Sequence, residues 1–152
     1  MSKTRKIKDA LKQVLSGIEY EDEPAFIEVV GSTDGEFEGY PSVRVLPERI
    51  DNAKGAMGQN DREVNFKAIV HMRLESGDAI QEHTIDHMTD LTDLIMDALD
   101  QGDYLDTLDD IDPDIGTYIM KATDAVWDVI DSSAGAILLL VVSISATYSK
   151  DL

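Results

Sequence analysis

Two histidines four residues apart, His83 and His87 in "HTIDH", come nearest in this chain to a spacing that does chemistry. On a helix the spacing puts both imidazoles on one face, where they could hold zinc with Asp86 or Asp90 adding a carboxylate. The zinc-protease pattern needs Glu directly after the first His, and Thr84 stands there. The inverted pattern needs Glu directly before the second, and Asp86 stands there. His87 also falls within an apolar arc, where a satisfied core histidine is the default. The run "DDIDPDIG" at 109–116 suggests calcium. An EF-hand loop needs Gly at its sixth position and Glu at its twelfth. Counted from Asp110, those positions hold Ile115 and Lys121. No G-x-S-x-G elbow, P-loop or G-x-G-x-x-G is present. With no cysteine, neither a disulfide nor a thiolate metal site can form. No catalytic, cofactor-binding or metal residue is assigned, and the expectation is a non-enzymatic chain.

Charge is the dominant feature. Thirty-one acids face 13 Lys and Arg, a net charge of −18. Asp outnumbers Glu by 21 to 10, and residues 74–120 hold 14 acids and no Lys or Arg. Self-repulsion on this scale destabilises a compact state in dilute buffer, and concentrated salt screens it. An excess of Asp with little Lys resembles proteins of salt-loving organisms. Over most of the chain this charge argues against a nucleic-acid-binding surface. Only the first twelve residues are locally basic: Lys3, Arg5, Lys6, Lys8 and Lys12 against Asp9. Positive charge at a helix N-terminus opposes the helix dipole, so local stability does not account for it. The patch reads as a solvated helix face, as a surface that docks on an acidic face of a neighbouring copy, or as a contact with DNA.

The elements follow from hydrophobic period. Ile7, Ala10, Leu11, Val14, Leu15 and Ile18 make one stripe of a helix over 3–18. Residues 26–30 read as a first strand and "YPSVRV", 40–45, as a second, with Pro41 marking an edge or a strand start. The next polar stretch, "DNAKGAMGQND" at 51–61, reads as a long loop. Residues 62–75 alternate cleanly, Val64, Phe66, Ala68, Val70, Met72 and Leu74 lining one face. From 78 to about 100 the period turns helical. Ile80, Thr84, His87, Met88, Leu91, Leu94, Ile95 and Ala98 share one arc, and Glu82, Asp86, Asp90, Asp93, Asp97 and Asp100 form an acidic stripe opposite. Residues 115–121 and 125–130 read as two further strands.

"AILLLVVSISATY" at 136–148 closes the order. As a helix it would be roughly 20 Å long, against the ~30 Å hydrocarbon thickness of a bilayer. Its β-branched content favours a strand. Ala136, Leu138, Leu140, Val142, Ile144, Ala146 and Tyr148 make one wholly apolar face, and the opposite face turns from apolar to polar at Ser143. The expectation is a long central strand with no membrane role. The charged N-terminus lacks the apolar stretch of a signal peptide. At 152 residues the chain suits one domain, 1–152. The fold class expected is α+β: a mostly antiparallel sheet of about five strands with two main helices packed on one face.

In its order of elements the chain resembles the tail terminator (tail completion) proteins of long-tailed phages and related archaeal viruses, a group that includes the family of the minor tail protein U of phage lambda. An amphipathic opening helix is followed by "GYPSVRVLPER", a Gly-bearing loop, "REVNFKAIVHMRLE" leading into a helix, and a hydrophobic terminal strand. The resemblance spans nearly the whole length and rests on order, lengths and texture rather than on a specific motif. It implies a structural virion protein, assembled in the host cytoplasm. Such a protein forms a hexameric ring at the head-proximal end of the tail tube. The ring stops tube polymerisation and joins the tail to a head-completion or neck protein, and DNA passes through its channel without specific binding.

A ring needs head-to-tail contacts between copies, and a basic and an acidic helix in one subunit supply complementary charge. The candidate interface residues are Lys3, Arg5 and Lys8 on the first helix and Glu82, Asp86, Asp90 and Asp93 on the second. Around the 51–61 loop they are Lys54 and Met57, with Arg44, Arg49 and Arg62 as scarce cations nearby. A different function also fits the charge: an acidic mimic of DNA that occupies a DNA-handling enzyme.

Overall fold

The computed structural model describes residues 2–54, 60–74, 82–99, 117–132 and 135–149. The first helix, α1 (Lys3–Ser16), begins where Ser2 accepts a hydrogen bond on its side-chain oxygen from the Arg5 amide, 3.1 Å away. This N-cap offsets part of the unfavourable positive charge in the first turn. Gly17 ends the helix, its amide donating to the carbonyls of Gln13 and Val14. A two-residue hairpin follows, β1 (Glu19–Tyr20) and β2 (Glu23–Pro24), turned by Glu21 and Asp22 at φ 52° and 67°. Positive φ at both turn residues is the form that matches the twist of paired strands.

The main sheet contains β3 (Val29–Val30), β4 (Ser42–Lys54), β5 (Asn60–Arg73), β6 (Thr117–Ser132) and β7 (Gly135–Ser149), in the spatial order β3-β4-β5-β7-β6. All neighbours are antiparallel except β3 and β4. The second helix, α2, is Glu82–Leu99. This is the α+β architecture expected from the hydrophobic periods. β7 is an interior strand, between β5 and the edge strand β6. Leu138, Leu140, Val142, Ile144, Ala146 and Tyr148 are all buried on one face. On that same face Val43, Val45, Val64, Phe66, Ala68 and Val70 join them beneath the two helices. Ile7, Leu11 and Leu15 of α1, and Met88, Leu91, Ile95 and Leu99 of α2, are fully buried. Each such side chain contributes roughly 1.5–3 kcal/mol of transfer free energy. No helix among the described residues is long and apolar enough to cross a membrane.

Three sequence expectations are corrected. The 51–61 stretch is not a long loop: Asp51 pairs with Glu63, Asn52 with Arg62, Ala53 with Asp61 and Lys54 with Asn60. Asp51, Asn52, Asp61 and Arg62 are polar and pair through ladder hydrogen bonds, so hydrophobic period is silent there. The two strands read at 115–121 and 125–130 are one, β6, with register irregularities between Thr117 and Ile119 and between Ala122 and Asp124. An irregularity of that kind breaks the period-2 pattern without ending the strand. Residues 26–30 contribute only a two-residue strand, although Ile27 extends its line by donating to the Pro41 carbonyl at 2.8 Å.

Candidate functional site

The sheet has a covered and an uncovered face. At one end of the uncovered face the 31–41 segment folds back over it. Arg44 holds that segment: its guanidinium donates to the carbonyls of Ser32, Asp34 and Gly35 and lies 4.4 Å from the centre of the Phe37 ring. Phe37 in turn meets the His71 ring edge-to-face at 5.1 Å. Burial pushes the His71 imidazole below its ordinary pKa, and the nearby Arg44 charge pushes it the same way. Arg44 is therefore engaged within its own chain as a loop anchor.

The other sequence-predicted residues are distributed as follows. The Lys3 amine sits 5.6 Å over the Tyr148 ring. Lys8 lies beside Gly31, next to β3. The Arg5 side chain is exposed. Arg49 pairs with Asp51 at 2.9 Å, and the Arg62 guanidinium donates to Asn52 at 3.2 Å. Arg49 is opposite Asn65 and Arg62 opposite Asn52, on alternate faces of the β4–β5 hairpin, and Arg44 is farther along opposite Ile69. The three arginines are thus not brought together. Lys54 ends β4, and Met57 lies outside the described residues. Glu82, Asp86, Asp90 and Asp93 are all exposed along α2.

The hairpin β1–β2, which hydrophobic patterning missed, packs against α2. The Tyr20 hydroxyl donates to Asp90 at 2.9 Å, and its ring stacks on His87 with centroids 4.5 Å apart. The bond to Asp90 and the surrounding carboxylates raise the Tyr20 pKa. Burial lowers that of His87, with Glu21 and Asp90 partly restoring it. Two grooves flank the contact. One, of about 770 Å³, is lined by residues that include Tyr20, Ile27, Tyr40, His83, Asp86 and His87. The other is acidic, lined by Glu19, Glu21, Asp90, Asp93 and Asp97 beside Tyr20 and Leu94. His87 is committed to the Tyr20 stack, and among the described residues no three His, Asp or Glu side chains converge as a metal centre requires. Among the described residues no ion pair neutralises the acids on this side of α2, which lies beside the acidic turn of the β1–β2 hairpin.

The remaining surface feature is apolar. Trp127 and Val129 of β6 are exposed, and with Ile85, Met88, Thr89 and Leu138 they border a groove of about 420 Å³ between β6 and α2. Their sequence reads only as a strand, 125–130, because residue pattern does not tell a strand in the middle of a sheet from one at its edge.

No protein-family model matches the chain, and no curated protein matches it. Among solved structures, one described as the virion of a native gene transfer agent (GTA) particle is similar over 92% of this chain and 92% of that chain. Its TM-score is 0.57 at 13% identity. The chain therefore shares its fold with a protein of a gene transfer agent virion.

Proposed function

We propose that this chain is a structural protein of a phage-like virion, and within it the tail terminator: a ring at the head-proximal end of the tail tube that halts tube growth and joins the head-completion protein. The observation that carries this reading is the shared fold with a gene transfer agent virion protein over 92% of both chains. The order of elements that resembles tail terminators supports the finer assignment. On this reading the chain is not an enzyme. Its acidic surface repels the DNA backbone, so DNA slides past without sticking. The test is deletion of its gene from a particle-producing genome, followed by electron microscopy. Overlong tails without heads are expected. Tails of normal length joined to full heads would refute the reading.

A second reading rests on the acidic groove of Glu19, Glu21, Asp90, Asp93 and Asp97. As a mimic of the DNA backbone it would bind a cationic DNA-handling protein. That binding would weaken steeply between 50 and 200 mM salt, roughly as phosphate contacts do. The gene deletion would then leave particle shape unchanged.

A further inference from the structure

The amide of Val129 donates to the carboxylate of its own chain neighbour, Asp128, at 2.8 Å. Val129 therefore turns its N–H away from β7, and in an antiparallel pair the N–H and C=O of such a residue both point outward. Alternation along the strand puts Trp127 in the same state. β6 is the outermost strand of the sheet, with no partner strand on its far side among the described residues. Natural edges are blunted by short strands, proline or dense charge. β6 runs for 16 residues without proline, and from Ala122 to Ile130 its charges are Asp124 and Asp128. The outward donor of Val129 is thus met by a side chain rather than by a strand.

The side chains along this edge differ between the two faces. Val126, Trp127, Val129 and Ile130 are all exposed. Trp127 and Val129 pair with Leu140 and Leu138, which puts them on the helix-bearing face. There, with Ile85 and Met88, they line the apolar groove of about 420 Å³. Asp124, Val126 and Asp128 pair with Ser143, Val141 and Leu139, which puts them on the other face. An extended chain laid along β6 sends alternate residues to these two faces. On the helix-bearing face they meet apolar walls. On the other face, at positions four residues apart, they meet the two carboxylates. This chain is itself a poor source of such a strand. It carries a net charge of −18, and matching 126–130 to itself sets Asp128 opposite Asp128, which destabilises a strand pair.

We propose that the β6 edge receives an extended segment of a different protein, in which two Lys or Arg residues stand four apart and the residues between them are apolar or β-branched. This is strand addition: ladder bonds to the backbone of Trp127 and Val129 supply affinity, and alternate side chains supply specificity. A carbonyl of the incoming segment takes over the Val129 amide. The Asp128 carboxylate, released from that amide, pairs with one incoming cation, and Asp124 meets the other through a charge-assisted bond. The site goes beyond the virion reading and does not rest on it.

The experiment uses the full chain and a capped synthetic peptide, Thr-Val-Lys-Val-Val-Thr-Lys-Thr. Set antiparallel to β6, its two lysines fall opposite Asp128 and Asp124. Trp127 is the only tryptophan of the chain, so its emission reports on the edge directly. A saturable blue shift is expected, with slower amide exchange at Trp127 and Val129. Replacing both peptide lysines by glutamate should weaken binding about tenfold or more, and Asp128→Lys should reverse that preference. Val129→Pro should abolish binding, because it removes an outward N–H while leaving the ladder to β7 in place. Circular dichroism checks the fold of each variant. An unshifted wild-type emission, equal binding of the two peptides, or unchanged binding by Val129→Pro would each overturn the proposal. So would self-association of wild type that Val129→Pro abolishes in sedimentation equilibrium, since that result assigns the edge to a second copy.

Discussion

The Arg44 guanidinium lies 4.4 Å from the centre of the Phe37 ring and is bonded to three carbonyls of the segment that carries that ring. One side chain thus converts a glycine-containing turn into a cover for the end of the sheet. Arg44→Ala removes both the ring contact and the charge-assisted bonds. The expected cost is about 1–2 kcal/mol in urea unfolding, with faster amide exchange concentrated in residues 32–39. Unchanged exchange there would show that the segment is held otherwise.

His71, beneath Phe37, gives a pH dependence of definite sign. Its folded pKa lies below the ordinary histidine value because burial and Arg44 disfavour the charged form. The unfolded chain therefore binds more protons as acid is added. The stability linked to His71 is complete above about pH 6.5 and is lost as pH falls from there through the folded pKa. In an NMR titration its midpoint should lie below that of a model peptide. His71→Phe should flatten the pH dependence of melting in that window.

Tyr20 behaves oppositely. Its hydrogen bond to Asp90 favours the neutral phenol and raises its pKa. The linked stability is complete below about pH 10 and is lost as pH rises through the folded value. Ultraviolet titration should show one tyrosine ionising late. That component should vanish in Tyr20→Phe and shift down in Asp90→Asn.

Leu140 and Trp127 share a cross-strand pair but not an environment. Leu140 is fully buried and Trp127 is 52% exposed. Leu140→Ala should cost about 2–5 kcal/mol in urea unfolding. Trp127→Glu should change stability by only about 0.5 kcal/mol. Similar losses for both would place Trp127 in the core.

Salt tests the surface. With Glu19, Glu21, Asp90, Asp93 and Asp97 around one groove, the melting temperature should climb from dilute to molar KCl as repulsion is screened. Replacing Asp93 and Asp97 together by Asn should reduce that climb. A flat salt response would remove the saline-host explanation of the composition.

Sequence pattern revealed the parts of the fold whose burial is one-sided and regular. The alternation through β5, the arc of α2 and the apolar face of β7 each appear in the structure with little change in bounds. Pattern failed where pairing carries on through polar residues, as where Asp51 and Asn52 face Glu63 and Arg62, and where an irregularity near Ala122 interrupts the period. The charged candidates were visible as charge, but their engagement was not. Nothing in the residue types distinguishes Arg44, spent on its own loop, from Arg49, paired with Asp51 on the surface. Trp127 was hidden for a further reason: strand position decides whether an apolar residue is core or rim, and position belongs to topology.

The placement of β7 has a consequence for synthesis. A ribosome delivers β6 before β7, its one neighbour in the sheet, so β6 cannot join the hairpin of β4 and β5 until β7 has emerged. Long-range closure of this kind is slow and leaves strands exposed meanwhile. A chain interrupted earlier would carry β6 unanchored, with its apolar side chains in water.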